Sequence, residues 1–195
     1  MKIFIDNGHG VNTPGKCSPD GSIKEWAYCR EIAERIVKAL QSEGGDAERI
    51  VTEKTDIDLA ERCRRVNSWC RKLGARNVLM VSVHLNASPP VDGKWHGATG
   101  WSGWVSSNSS ANSKKLAQLL YAEAEKRGLQ GNRWVPDCKY WVADYYILKN
   151  TNCPAVLTEN LFQNNKDDVK MLLSEKGKQA IVDLHVAAIK EYING

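Results

Sequence analysis

Two histidines and a glutamate follow apolar runs at three distant points of the chain. Lys2-Ile3-Phe4-Ile5-Asp6 reads as a strand and runs into Asn7-Gly8-His9-Gly10; Val78-Leu79-Met80-Val81-Ser82-Val83 delivers His84-Leu85-Asn86-Ala87; Pro154-Ala155-Val156-Leu157-Thr158 ends at Glu159. A parallel or mixed sheet gathers its strand ends along one edge, and open α/β sheets place their sites at that edge. Two imidazoles and carboxylates meeting there have the donor set of a catalytic zinc ion.

Each residue also has a plainer reading. Glycines on both sides of His9 let the backbone turn sharply and carry the imidazole to an open edge, yet a loop histidine with one backbone hydrogen bond has the same sequence. His84 follows a buried strand and could be a satisfied core histidine. Glu25 stands in Ser22-Ile23-Lys24-Glu25, the pattern of a capping box, so it is either a helix-start residue or the third metal ligand at the mouth of the helix after the His9 loop. Glu159 is a rim carboxylate or, if buried, a group that must be paired, metal-bound or catalytic. Glu31 and Glu34 read as solvated, His96 as a loop residue and His185 as part of the last helix.

The elements that must position these residues alternate strand and helix, which predicts one α/β domain over 1–195: a twisted, mostly parallel or mixed sheet with helices on both faces. Helical spacing of Ile32, Ile36, Val37 and Leu40 predicts a helix over 23–42, stopped by Gly44-Gly45; a short strand follows at Arg49–Thr52, and a second helix over 56–73 has Leu59, Cys63, Val66 and Cys70 on one face. The run 77–83 is apolar throughout, as a central strand buried on both faces should be. One irregular strand is expected within 98–105, a third helix over 114–127, loop over 128–143, strands at 145–148 and 155–158, and one or two helices over 167–192.

Composition narrows the function. The 195 residues carry 27 basic and 23 acidic side chains, net +4, with no basic run; this excess is too small to argue for nucleic acid and is compatible with an anionic polymer such as a cell wall. No apolar stretch reaches the roughly 20 residues of a membrane span, and Asp6 interrupts the first apolar run too early for a signal peptide. The expectation is cytoplasmic synthesis with action at the wall, as for a phage lysin or a trimmed secreted domain. None of the six cysteines forms a C-x-x-C pair, so no thiolate zinc site is indicated and reduced thiols are expected. Of seven tryptophans, Trp95, Trp101, Trp104, Trp134 and Trp141 fall in loop-like sequence, where they either line a substrate groove or pack the loops onto the core.

In order and spacing, the chain resembles the zinc-dependent N-acetylmuramoyl-L-alanine amidases of the Amidase_3 type. Ile5-Asp6-Asn7-Gly8-His9-Gly10 is similar to the family's D-P-G-H-G opening, Leu59-Ala60-Glu61-Arg62 with Val66-Asn67 to its L-x-x-R-x-x-x-A-N segment, and Ser82-Val83-His84-Leu85-Asn86-Ala87 to S-I-H-A-N-A. Tyr146-Ile147-Leu148-Lys149 and Pro154 to Glu159 are similar to its V-L-R and P-A-V-L-V-E pieces, and Phe162 and Asn164 fit the tail that follows. The resemblance covers nearly the whole chain. It implies one zinc ion per chain held by His9, Glu25 and His84, a catalytic acid/base at Glu159, and hydrolysis of the amide between the lactyl group of N-acetylmuramic acid and L-alanine of the peptidoglycan stem. Both imidazoles must be neutral to bind zinc, so activity is expected to fall below about pH 6. Asn7 replaces the usual proline and should be tolerated; Lys149 replaces an arginine and loses its bidentate fork. Rival readings are another zinc hydrolase, a peptidase or deacetylase on the same polymer, and a wall-binding relic without catalysis.

Overall fold

Three apolar strands form the middle of the molecule because each can be buried on both faces. They are β1 (Lys2–Asn7), β3 (Val78–Asn86) and β6 (Ala155–Phe162), parallel and adjacent. The computed structural model describes residues 1–195. Short β2 (Asp46–Arg49) extends the parallel set beside β1; β4 (Ser102–Val105) pairs antiparallel with β6, and β5 (Trp141–Val142) closes the far edge. The six-stranded order is β2-β1-β3-β6-β4-β5, a mixed sheet as expected.

Side-chain alternation divides the sheet between two cores. Ile3, Ile5, Leu79, Val81, Val83 and Val156 face the larger one, covered by α1 (Glu25–Ser42), α3 (Ala111–Lys126), α5 (Lys166–Leu173) and α6 (Glu175–Asn194). Phe4, Met80, Ala155 and Leu157 face the smaller one, under α2 (Leu59–Leu73) and the single turn α4 (Tyr146–Lys149). All six cysteines are free, and Cys29, Cys63, Cys70 and Cys153 are buried as small apolar groups.

Four sequence expectations need correction. β2 comes earlier than Arg49–Thr52: residues 46–49 pair with Lys2–Ile5, and the Ile50 N–H completes the ladder on the Ile5 carbonyl before Ile50 and Val51 turn into the smaller core. Tyr145–Leu148 is not a strand. Its two apolar residues, Ile147 and Leu148, reach the core from one helical turn, while Tyr145 and Tyr146 stay exposed. The stretch 128–143 is loop only until Trp141, which pairs with Trp104 as β5. Finally, β3 and β6 run beyond His84 and Glu159, with an irregularity between His84 and Asn86, so both residues lie within the strands near their C-terminal ends.

Candidate active site

His84 and Glu159 are register partners on β3 and β6, so their side chains leave the same face of the sheet. His9 follows β1 on the same edge and has a left-handed backbone, φ +61°. A non-glycine residue there is uncommon; the loop is held by Arg30, whose Nη1 donates to the His9 carbonyl at 2.8 Å and whose other nitrogen atoms bind the Glu53 carbonyl. Gly8 and Gly10 are needed for contact rather than flexibility. A Cβ on Gly8 would lie 2.4 Å from His84 Cε1, and one on Gly10 would lie 1.9 Å from the Asp56 backbone nitrogen.

Glu25 is the first residue of α1 and only 1% exposed. Its Oε1 sits 3.3 Å from His84 Nδ1 and 3.4 Å from His9 Nε2, and accepts the Leu85 N–H at 3.0 Å; Oε2 accepts from Gln163 Nε2 at 2.9 Å. The capping-box reading fails. The N-cap is Lys24 without a side-chain cap, and the Ser22 hydroxyl donates to Asp20 instead. Burial raises the Glu25 pKa, but the two imidazoles outweigh it and hold the carboxyl well below the usual range. His84 shows the converse: burial opposes its charge, and Glu25 more than offsets this to raise its pKa.

The three donor atoms lie within 4.8 Å of one another. Ligands about 2.0–2.1 Å from a tetrahedral ion are roughly 3.3 Å apart, which the His9–Glu25 and Glu25–His84 spacings match. Glu159 stands beside this group without a direct ligand contact. Its Oε2 is buried with no hydrogen-bond partner. Burial pushes its pKa up to about 7, the His84 charge opposing and the Glu25 charge adding to the rise.

Beneath the site lies a brace that residue types alone did not mark. Asp6, buried at the end of β1, accepts from Arg62 Nη1 at 2.7 Å and from Ser82 Oγ at 2.5 Å; Arg62 also reaches Asp56 and the Asn7 and Ile57 carbonyls. This joins β1, β3 and α2 under His9 and His84. The spacing of Arg62 after Leu59 was its visible signal. Gln163 and Asn164 were less legible: Gln163 holds Glu25, and Asn164 accepts the Ser88 N–H and donates to the Ser88 carbonyl, fixing the loop after β3. The Asn7 side chain is buried with neither polar atom paired, so this departure carries a desolvation cost.

Beside the histidines is a groove of about 490 Å³ lined by Asp56, Asp58, Tyr145 and Tyr146 among others. The lining of this groove contains no tryptophan. Trp101 is fully buried and donates to Asn160 Oδ1, buried Trp141 packs against half-buried Trp104, and Trp134 is 76% exposed. His96 bonds Asp92 in a loop, and His185 is buried on α6 against Thr158; neither belongs to the His9, Glu25 and His84 cluster. Lys149 pairs with Asp144 at the surface. No helix is long and apolar enough to cross a membrane.

The family model described as N-acetylmuramoyl-L-alanine amidase matches residues 3–191. The chain is 30% identical over 200 residues to an endolysin of Bacillus phage SPP1, covering 98% of this chain and 66% of that protein. It is 27% identical to the N-acetylmuramoyl-L-alanine amidase CwlM of Bacillus licheniformis, covering 100% of this chain and 69% of the relative. It thus spans about two thirds of the length of these relatives. An N-acetylmuramoyl-L-alanine amidase structure from Clostridium difficile 630 superposes with TM-score 0.82 at 24% identity, over 100% of this chain and 97% of that one, which establishes the shared fold. A family match from the first strand to the last helix, on a chain of this fold, leaves one assignment: this protein belongs to the N-acetylmuramoyl-L-alanine amidase family.

Proposed function

We propose that residues 1–195 act as one zinc amidase catalytic domain that hydrolyses the amide between the lactyl group of N-acetylmuramic acid and L-alanine of the peptidoglycan stem. The observation that carries this reading is the position of Glu25 Oε1, 3.3–3.4 Å from a nitrogen of each histidine, in a chain of this family. His9, Glu25 and His84 would hold one zinc ion, and an ion so held supplies Lewis acidity, which acidifies water and polarises a carbonyl.

Glu159 carries the proton. A carboxyl with a pKa near 7 exchanges protons in either direction at neutral pH. Its unpaired Oε2 is free to take a proton from attacking water and to hand it to the departing alanine nitrogen. Gln163 and the Leu85 N–H fix the Glu25 carboxylate so that it keeps one orientation between the imidazoles. The groove beside His9 and His84 gives the substrate a place to lie, and action at the cell wall follows from the substrate.

The test is digestion of purified peptidoglycan with and without a chelator, scored for new N-terminal alanine. Release that stops with chelator and returns with zinc is the expected result. Absence of new alanine amines from a fully zinc-loaded protein would overturn the amidase reading and shift weight to another zinc hydrolase.

A further inference from the structure

Arg133 is a half-buried guanidinium without an ionic partner. It lies over three aromatic rings, 4.7 Å from the Trp141 centroid, 5.7 Å from Phe162 and 5.8 Å from Trp104. Its one side-chain hydrogen bond runs from Nη1 to Ser102 Oγ at 2.8 Å, and no carboxylate lies within ion-pair distance. An arginine held rigidly by rings, stripped of part of its hydration and still left with free N–H donors, is built to receive a planar anion.

Its position says which anion. Ser102 is the register partner of Glu159 across the antiparallel β4–β6 pair, so their side chains stand side by side on one face. The Arg133 charge reaches Glu159, which opposes the lowering of the Arg133 pKa by desolvation. Glu159 would deliver its proton to the alanine nitrogen of the stem. From that nitrogen, the α-carboxyl carbon of the second stem residue is about 6 Å away along an extended chain, since each residue spans at most ~3.3–3.6 Å. Where that second residue is joined onward through a side-chain carboxyl, its α-carboxyl is left either free or amidated.

We propose that Arg133 is a substrate-positioning residue that receives this free α-carboxylate, so that the enzyme discriminates between stems with a carboxylate and stems with a carboxamide at the second residue. The inference rests on the amidase reading above.

The experiment compares kcat and KM of the zinc-loaded protein on two muropeptide preparations that differ only in whether this carboxyl is free or amidated. Wild type should favour the free acid by about 10- to 100-fold in kcat/KM, the worth of a hydrogen-bonded charge. Arg133→Gln should lose that preference, mainly through KM, with an unchanged circular-dichroism spectrum and zinc stoichiometry showing that the variant is folded. Arg133→Lys should keep part of the preference, because it keeps the charge without the fork. Equal cleavage of both stems by wild type, or an equal fall on both in Arg133→Gln, would overturn the role of Arg133 and leave the amidase reading intact. Cleavage of neither by wild type would overturn both.

Discussion

His84 and Glu159 face each other across adjacent parallel strands, and only one of them is in contact with Glu25. This separates the residues that would bind a metal from the one that would move a proton. Glu159→Gln should therefore keep zinc at wild-type stoichiometry while kcat falls at least about 100-fold, the usual worth of a general acid/base. Metal analysis alongside peptidoglycan turnover checks this, and retention of most activity would remove Glu159 from the mechanism.

The same substitution makes a second, independent prediction about stability. Burial raises the folded-state pKa of Glu159 to about 7, above its unfolded value. The folded state then binds the extra proton, so this group's contribution to stability falls as pH rises from about 4.5 to 7. In metal-free protein at pH 8, Glu159→Gln should have a higher Tm than wild type, and the gap should close towards pH 5. Thermal unfolding at the two pH values reads this directly.

Gly8→Ala tests the fit of the two histidine segments. The added Cβ would meet the His84 ring at 2.4 Å, and the proposed zinc site requires that ring to keep its place. The protein should fold but lose zinc affinity by roughly 10- to 100-fold, the size of effects that misorient a metal ligand. Zinc titration by calorimetry on folded protein checks it; unchanged affinity would mean that the ring has room to move.

Much of this site was visible in the sequence because each part is a short segment at the end of an apolar run. His9, His84 and Glu159 needed only the parallel sheet to bring them together. Glu25 was ambiguous because Ser22 and Glu25 have capping-box spacing, and only the long-range attraction of two histidines and Gln163 decides which partner Glu25 takes. Tyr145–Leu148 has the composition of a strand, yet the sheet beside β6 is already occupied by β4, and the segment packs as a turn of helix. Arg133 could not be singled out, since its meaning depends on rings from three separate elements.

Arg62 should be indispensable for stability rather than for chemistry. It is buried with Asp6 and spans to Asp56, so Arg62→Met would strand the Asp6 carboxylate with only Ser82 as a side-chain partner. Removing one member of a buried pair costs about 3–5 kcal/mol, which for a chain of this length lowers Tm by roughly 6–20 °C. Asp6→Asn combined with Arg62→Met should recover part of the loss, because the stranded charge is gone. Calorimetry of the single and double variants distinguishes this from a simple loss of packing.

His185 predicts how the fold fails in acid. It is fully buried between α6 and β6, with Nδ1 2.7 Å from the Ile181 carbonyl and Nε2 3.0 Å from Thr158 Oγ1. The carbonyl makes Nδ1 the donor, so Nε2 accepts from the threonine and the ring is neutral. Burial draws its pKa down to about 4, with the Ile181 carbonyl opposing, against about 6.5 in the unfolded chain. The unfolded state therefore binds the proton first, and this contribution to stability is complete above pH 6.5 and is lost as pH falls towards 4. Glu159 acts with the opposite sign in part of that window, so the measurement belongs in the Glu159→Gln background. There, urea unfolding between pH 7 and 4 should show a slope of up to about 1.4 kcal/mol per pH unit from this one group, and adding His185→Gln should remove it. An unchanged slope in the double variant would assign acid lability to the carboxylates instead.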